Sequence, residues 1–234
     1  EVFYSIFSTL YRKLYNNQNI KKTKLEGEAM DLKHLVSGTD IRGIVSEVEG
    51  KKVTLTEKEV EFIGKAFGNW ITKKYGRKSE LENRKIKVSV GYDARHTGPK
   101  FSKILRDVLK SMEIDVYDCQ MAITPSLFMT TIFEDYKADG AIMITASHLP
   151  SCYNGLKFFT TEGGLEKTDV VEMLEMGNKK ACQCEANLKE ALKIEEKKGR
   201  SYTKNLAEDY AAYTCEFIRK ETGEEKPLEN LKIV

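Results

Sequence analysis

Apolar side chains along this chain recur with distinct periods, and each period predicts an element. From Thr56 onward Val60, Ile63, Phe67, Trp70 and Ile71 fall at helical spacing. Thr56-x-x-Glu59 is a capping box that satisfies orphan amides at a helix start, and Gly76 predicts the end of that helix near Tyr75. Ile86 to Tyr92 alternates apolar and polar side chains, as a half-buried strand does. Phe101, Ile104, Leu105, Val108, Leu109 and Met112 then form the strongest amphipathic helical pattern in the chain. Ile114 to Asp118 reads as a second strand, and Thr124-Pro125 as an N-cap followed by proline, opening a helix through Phe128, Ile132 and Tyr136. Gly140 to Ala146 is apolar on both faces, which places it at the centre of a sheet covered by helices on each side. Leu156 to Phe159 adds a short strand and Thr168 to Met176 a helix.

Strands and helices in alternation predict an α/β fold. After Gly177 the composition shifts to Lys and Glu, so 181–200 reads as a linker or an exposed helix. A helix is expected from near Ser201, with Leu206, Tyr210, Tyr213 and Phe217 on one face and Gly223 at its end, and Pro227 to Val234 as a further strand. A strand at that place would leave an unpaired edge. Residues 1–30 form a tail with five basic groups, few acids and five aromatics, which is read either as an organelle transit peptide or as a solvated extension. Met30 is a plausible start for the folded part.

Composition narrows this picture. Of 234 residues, 41% are hydrophobic and 32% charged, enough apolar side chain for a core and too much for a disordered chain. The net charge of +2 excludes the basic excess that sequence-independent nucleic-acid binding needs. The nearly apolar run from Ala141 to Ala146 is far shorter than the roughly 20 residues of a membrane span. No membrane or nucleic-acid partner is expected. Five irregularly spaced cysteines fit free thiols in a reducing compartment, so the expected location is cytoplasmic, or a plastid or other organelle if the tail is a transit peptide. Cys182-x-Cys184 lacks a second pair or a nearby His and is read as inert.

The candidate chemistry lies in three segments. The central strand delivers Thr145-Ala-Ser-His-Leu-Pro150 at its carboxyl end, where open α/β sheets bind ligands. His148 is adjacent to Ser147, and Lys157 follows ten residues on, beyond the turn Tyr153-Asn154-Gly155, with no acid between. A nucleophile or phosphate carrier in cationic surroundings suits an anionic substrate. Ser37-Gly-Thr-Asp-Ile-Arg-Gly43 and Gly91-Tyr-Asp-Ala-Arg-His-Thr-Gly98 hold Arg42 and Arg95 as candidate phosphate contacts. Either arginine reads equally well as a structural salt bridge to its neighbour, Asp40 or Asp93.

In this order the motifs S-G-T-D-I-R-G, G-Y-D-A-R, T-A-S-H-L-P and N-G-L-K resemble the α-D-phosphohexomutase family over about residues 35–234. The resemblance implies a mixed sheet between helices in 31–180, the family's first domain with its phosphoserine loop, and the start of a second α/β domain in 201–234. It implies that phosphorylated Ser147 exchanges its phosphoryl group with C1 or C6 of a hexose phosphate through a bisphosphate. Lys157 matches the family's proton-transfer lysine, Arg42 and His148 match residues lining the loop, and Arg95 and Asp40 are carried over as substrate or phosphate contacts. Mg²⁺ on a phosphoserine oxygen and a hexose 1,6-bisphosphate activator are implied as well.

Departures accompany the match. The family's D-x-D-x-D-R metal loop has no counterpart in the sequence, and its sugar and phosphate loops are likewise missing, so the 234 residues alone are expected not to be a competent mutase. Tyr92 stands where many members have Arg, and Leu149 where Asn is common. Two readings share every motif: the N-terminal part of a phosphohexomutase, or a catalytically inactive paralogue that binds sugar phosphates or a protein. A serine hydrolase built on Ser147 and His148 is disfavoured, because adjacent side chains rarely reach nucleophile-to-base geometry and no G-x-S-x-G elbow is present.

Overall fold

The protein is described from a computed structural model, over residues 30–48, 50–178, 198–229 and 231–232. Residues 1–29 of the tail expected at 1–30, Cys182-x-Cys184 and most of the 181–200 linker lie outside these residues. The described residues from Asp31 to Gly177 and from 198 onward fall in one compact unit. Of the other unit only Met30 and Asn178 are described; the Met30 amide donates to Asn178 Oδ1 at 2.8 Å and the Asn178 amide group returns a bond to the Met30 carbonyl at 2.9 Å.

The strands in chain order are β1 (Val36–Ser37), β2 (Asp40–Ile44), β3 (Lys87–Tyr92), β4 (Asp115–Met121), β5 (Gly140–Ile144), β6 (Tyr153–Thr160), β7 (Gly163–Gly164) and β8 (Ser201–Thr203). Helices α1 (Glu57–Leu81), α2 (Gly98–Ser111), α3 (Thr124–Met129), α4 (Lys167–Gly177) and α5 (Leu206–Thr222) surround them. The sheet order is β1-β2-β6-β5-β3-β4-β8, with β7 hairpinned onto β6. Strands β5, β3, β4 and β8 run parallel, whereas β6, β2 and β1 are antiparallel additions, so the sheet is mixed. Strand β5 is central and buried along its whole length, as its two apolar faces require.

Each face of the sheet has its own core. Helix α1 touches α2 and α4 on one side, where Phe67 stacks on Phe158 with ring centroids 5.4 Å apart. On the other side α3 touches α5 over a cluster that includes Tyr117, Cys119, Leu127, Tyr136, Met143 and Leu206. Burial pushes the Cys119 thiol up to about 12. Cys119, Cys152 and Cys215 are all free thiols. No helix among the described residues is long and apolar enough to cross a membrane.

Several element ends depart from expectation for local reasons. Helix α1 keeps its Thr56–Glu59 capping box but runs through Gly76 to Leu81, because Tyr75 and Ser79 are buried and hold the extra turn against the protein. Asn83, at φ 49°, supplies the left-handed stop instead. Helix α3 begins at Thr124 itself and ends at Met129 rather than Tyr136. The Thr130 and Thr131 hydroxyls donate to the carbonyls of Leu127 and Phe128, and the chain turns back through Lys137 at φ 45°. Residues 201–203 are strand β8 rather than helix, and α5 starts only at Leu206, with Gly223 in the expected left-handed C-cap at φ 69°. The strand expected at 227–234 does not form in its described part, where 227–229 are turn.

Candidate functional site

Residues far apart in sequence meet where parallel strands β3 and β5 end beside antiparallel β6 and β2. Arg42 pairs with Gly155, and the Thr145 amide donates to the Gly155 carbonyl at 2.9 Å. The serine segment, the N-G-L-K segment and the D-I-R segment are therefore neighbours on adjacent backbones. Gly155 is required there: a Cβ would lie 2.4 Å from the Ile41 carbonyl oxygen. The S-G-T-D-I-R-G segment is less a loop than a hairpin, with Gly38 at φ 65° in its turn and Asp40 and Arg42 on β2.

Asp40 is buried and collects two cations. Lys157 Nζ lies 2.5 Å and Arg42 Nη2 2.7 Å from the same oxygen, Oδ2. The cluster keeps a net positive charge, and Lys157 and Arg42 stay about one-fifth exposed, open to an anion. An ionised Asp40 repels phosphate, so the geometry gives it the part of a cation holder.

Ser147 is exposed just past the end of β5 and adopts φ 55°. For a residue with a side chain the left-handed region costs about 1–2 kcal/mol. The loop is held by fixed partners. The Ser147 amide donates to Thr145 Oγ1 at 2.9 Å, and the Thr145 hydroxyl donates to Asp93 Oδ2 at 2.7 Å. Arg95 bonds to Asp93 and to four main-chain carbonyls between Ser147 and Tyr153. Asn154, fully buried, donates to Thr97 Oγ1 at 2.8 Å and so ties the start of β6 to the segment that opens α2. His148 is exposed on the same loop, Leu149 is half-buried beside it, and Tyr92 ends β3 half-buried.

The structure thus brings Asp40, Arg42 and Lys157 into one ion cluster and Arg95 into the serine loop. Sequence reading did not single out Thr97, Asn154 or Thr145 as site builders. Their signal was weak: polar side chains at the ends of apolar strands, with partners 52 or more residues away. Magnesium, which the resemblance implies, does not fit these residues as a resident ion. Among the described residues no three His, Cys, Asp or Glu side chains group to hold one, and Asp40 and Asp93 are already committed to cations. A separate cleft of about 400 Å³ on α5 and the turn after it, lined by Cys215, Ile218 and Leu228 among others, shares no residue with the serine loop.

The family model for phosphoglucomutase/phosphomannomutase, alpha/beta/alpha domain I, matches residues 33–181. The chain belongs to this family. A phosphoglucomutase of Staphylococcus epidermidis is 31% identical over 162 residues, covering 69% of this chain and 27% of that protein. A phosphoglucosamine mutase of Chromohalobacter salexigens is 31% identical over 198 residues, covering 84% of this chain and 39% of that protein. The chain therefore spans well under half the length of these relatives. A crystal structure of a phosphoglucomutase/phosphomannomutase family protein from Burkholderia thailandensis shares the fold at TM-score 0.55 and 23% identity, over 76% of this chain and 34% of that one.

Proposed function

We propose that this chain supplies the phosphoryl-carrying domain of a phosphohexomutase acting on a hexose phosphate. The observation that carries this reading is an exposed Ser147, held in a left-handed turn at the end of the central strand, with the Arg42–Lys157–Asp40 cluster on the strands alongside. In the forward half-reaction the bond from Ser147 Oγ to phosphorus breaks as a bond forms from phosphorus to a sugar hydroxyl. The proton leaving that hydroxyl passes to a base, the role that the family resemblance implies for Lys157, and the departing Ser147 oxygen takes up a proton to become the free hydroxyl. The bisphosphate then turns over and returns its other phosphoryl group to Ser147. Phosphoserine carries about −1.5 to −2 charges at neutral pH, which Arg42 and Lys157 offset. On this reading 31–180 is the family's first domain and 201–234 leads toward its second.

Intact-mass measurement tests the role of the serine. A full-length mutase that carries this domain gains one phosphoryl group after incubation with glucose 1,6-bisphosphate, and its Ser147→Ala variant gains none. Equal labelling of the variant would rule out Ser147 as the carrier.

A further inference from the structure

The proposed chemistry leaves unused the side chain that touches the serine loop most often. Arg95 Nε–H donates to Asp93 Oδ2 at 3.2 Å. Its Nη1 group donates to the carbonyls of Pro150 at 2.8 Å and Tyr153 at 2.9 Å, and its Nη2 group to those of Ser147 at 3.0 Å and Leu149 at 2.7 Å. A guanidinium has five N–H donors, and these contacts use them all. The side chain is 13% exposed, so little of it faces a ligand.

Asp93 closes the arrangement. Its Oδ1 accepts the Arg95 amide at 3.1 Å, and its Oδ2 accepts both Arg95 Nε–H and the hydroxyl of Thr145, which in turn accepts the Ser147 amide. The carbonyl of Ser147 is thus fixed by Arg95 and its amide by Thr145, with Asp93 orienting both. Two bonds on either side of one Cα leave that residue little freedom to exchange its left-handed conformation for another.

We propose that Arg95, oriented by Asp93, is a positioning residue that locks Ser147 in its left-handed turn and presents the hydroxyl to solvent, and that it does not bind phosphate itself. The catalytic significance rests on Ser147 being the phosphoryl carrier, whereas the lock is a property of this chain alone. A planar fork is what the four carbonyls need. Lysine, a point charge with three donors, preserves charge but not this geometry.

The test separates fork from charge. In Arg95→Lys, amide hydrogen exchange across 147–153 should quicken about tenfold or more while exchange in β3 and β5 stays at the wild-type rate. Wild-type exchange in the loop of Arg95→Lys would overturn the proposal. In a second arm, phosphoserine is installed at 147 during translation in the chain with ¹⁵N-labelled arginine. The Arg95 Nε–H resonance should hold its position relative to the unmodified chain, and a shift of that resonance in step with phosphate titration would show a phosphate contact and overturn the proposal. In the active mutase Arg95→Lys should lower kcat and leave KM for the hexose phosphate unchanged; a raised KM with unchanged kcat counts against it. Neither exchange nor resonance position depends on mutase activity, so failure of the carrier assignment would appear only in the Ser147→Ala mass experiment.

Discussion

Lys157 and Arg42 share one oxygen of Asp40, and this sets what each can do. Arginine stays charged under all working conditions, so Arg42 still holds Asp40 when Lys157 is replaced. On the proposed function, a full-length mutase that carries this domain should lose about 10² to 10⁴-fold in hexose phosphate turnover when Lys157 is replaced by Met, the usual contribution of a proton-transfer group, while phosphorylation of Ser147 stays detectable by mass. Unchanged turnover would reduce Lys157 to a partner for Asp40. The serine motif, Arg42 and Lys157 stood out in the sequence because they are reactive or charged side chains in short motifs, and the structure sets Arg42 and Lys157 on Asp40. The work of Arg95 was not, because four of its five bonds go to backbone carbonyls, which a sequence does not display.

At the scale of elements, periodicity located the helices and local chemistry decided their ends. The start of α1 was readable because its capping box lies within four consecutive residues: Thr56 N–H donates to Glu59 Oε2 at 2.7 Å and Lys58 N–H to Thr56 Oγ1 at 3.2 Å. Burial acts to raise the Glu59 pKa, but the hydroxyl and amide of Thr56 outweigh it and hold the carboxylate below its ordinary value of 4.5. A depressed folded-state pKa gives stability that is present above pH 4.5 and is lost as pH falls through the folded value. Thr56→Ala should cost about 1 kcal/mol in urea unfolding at pH 7. The difference between wild type and Glu59→Gln should narrow in acid below pH 4.5, and a gap that widens there would contradict this cap. The end of α1 was misread because Gly76 is an ordinary stop signal, while the burial of Tyr75 and Ser79 is tertiary information. Strand β8 was missed because its three residues are all exposed and show no alternation.

Across the whole molecule the last described helix belongs to the same unit as the serine loop. Helix α5 is fastened by Leu206, fully buried among Tyr117, Leu127 and Tyr136, by the Tyr136 hydroxyl donating to Asp209, and by Phe133 against Tyr213 at 5.0 Å. Leu206→Ala should cost about 2–5 kcal/mol, read from the urea midpoint at unchanged slope. A loss below about 1 kcal/mol would mean that α5 is not part of the cooperative unit.

The place of β8 has one more consequence. The match to the family's first domain stops at residue 181, whereas Val116, Tyr117 and Asp118 of β4 find their outer partners at Ser201, Tyr202 and Thr203. A fragment cut where the homology ends would bare a row of unpaired amides and carbonyls along β4, a template for strands of other copies. The boundary that descent draws through this protein and the boundary that keeps it from aggregating are different places in the chain.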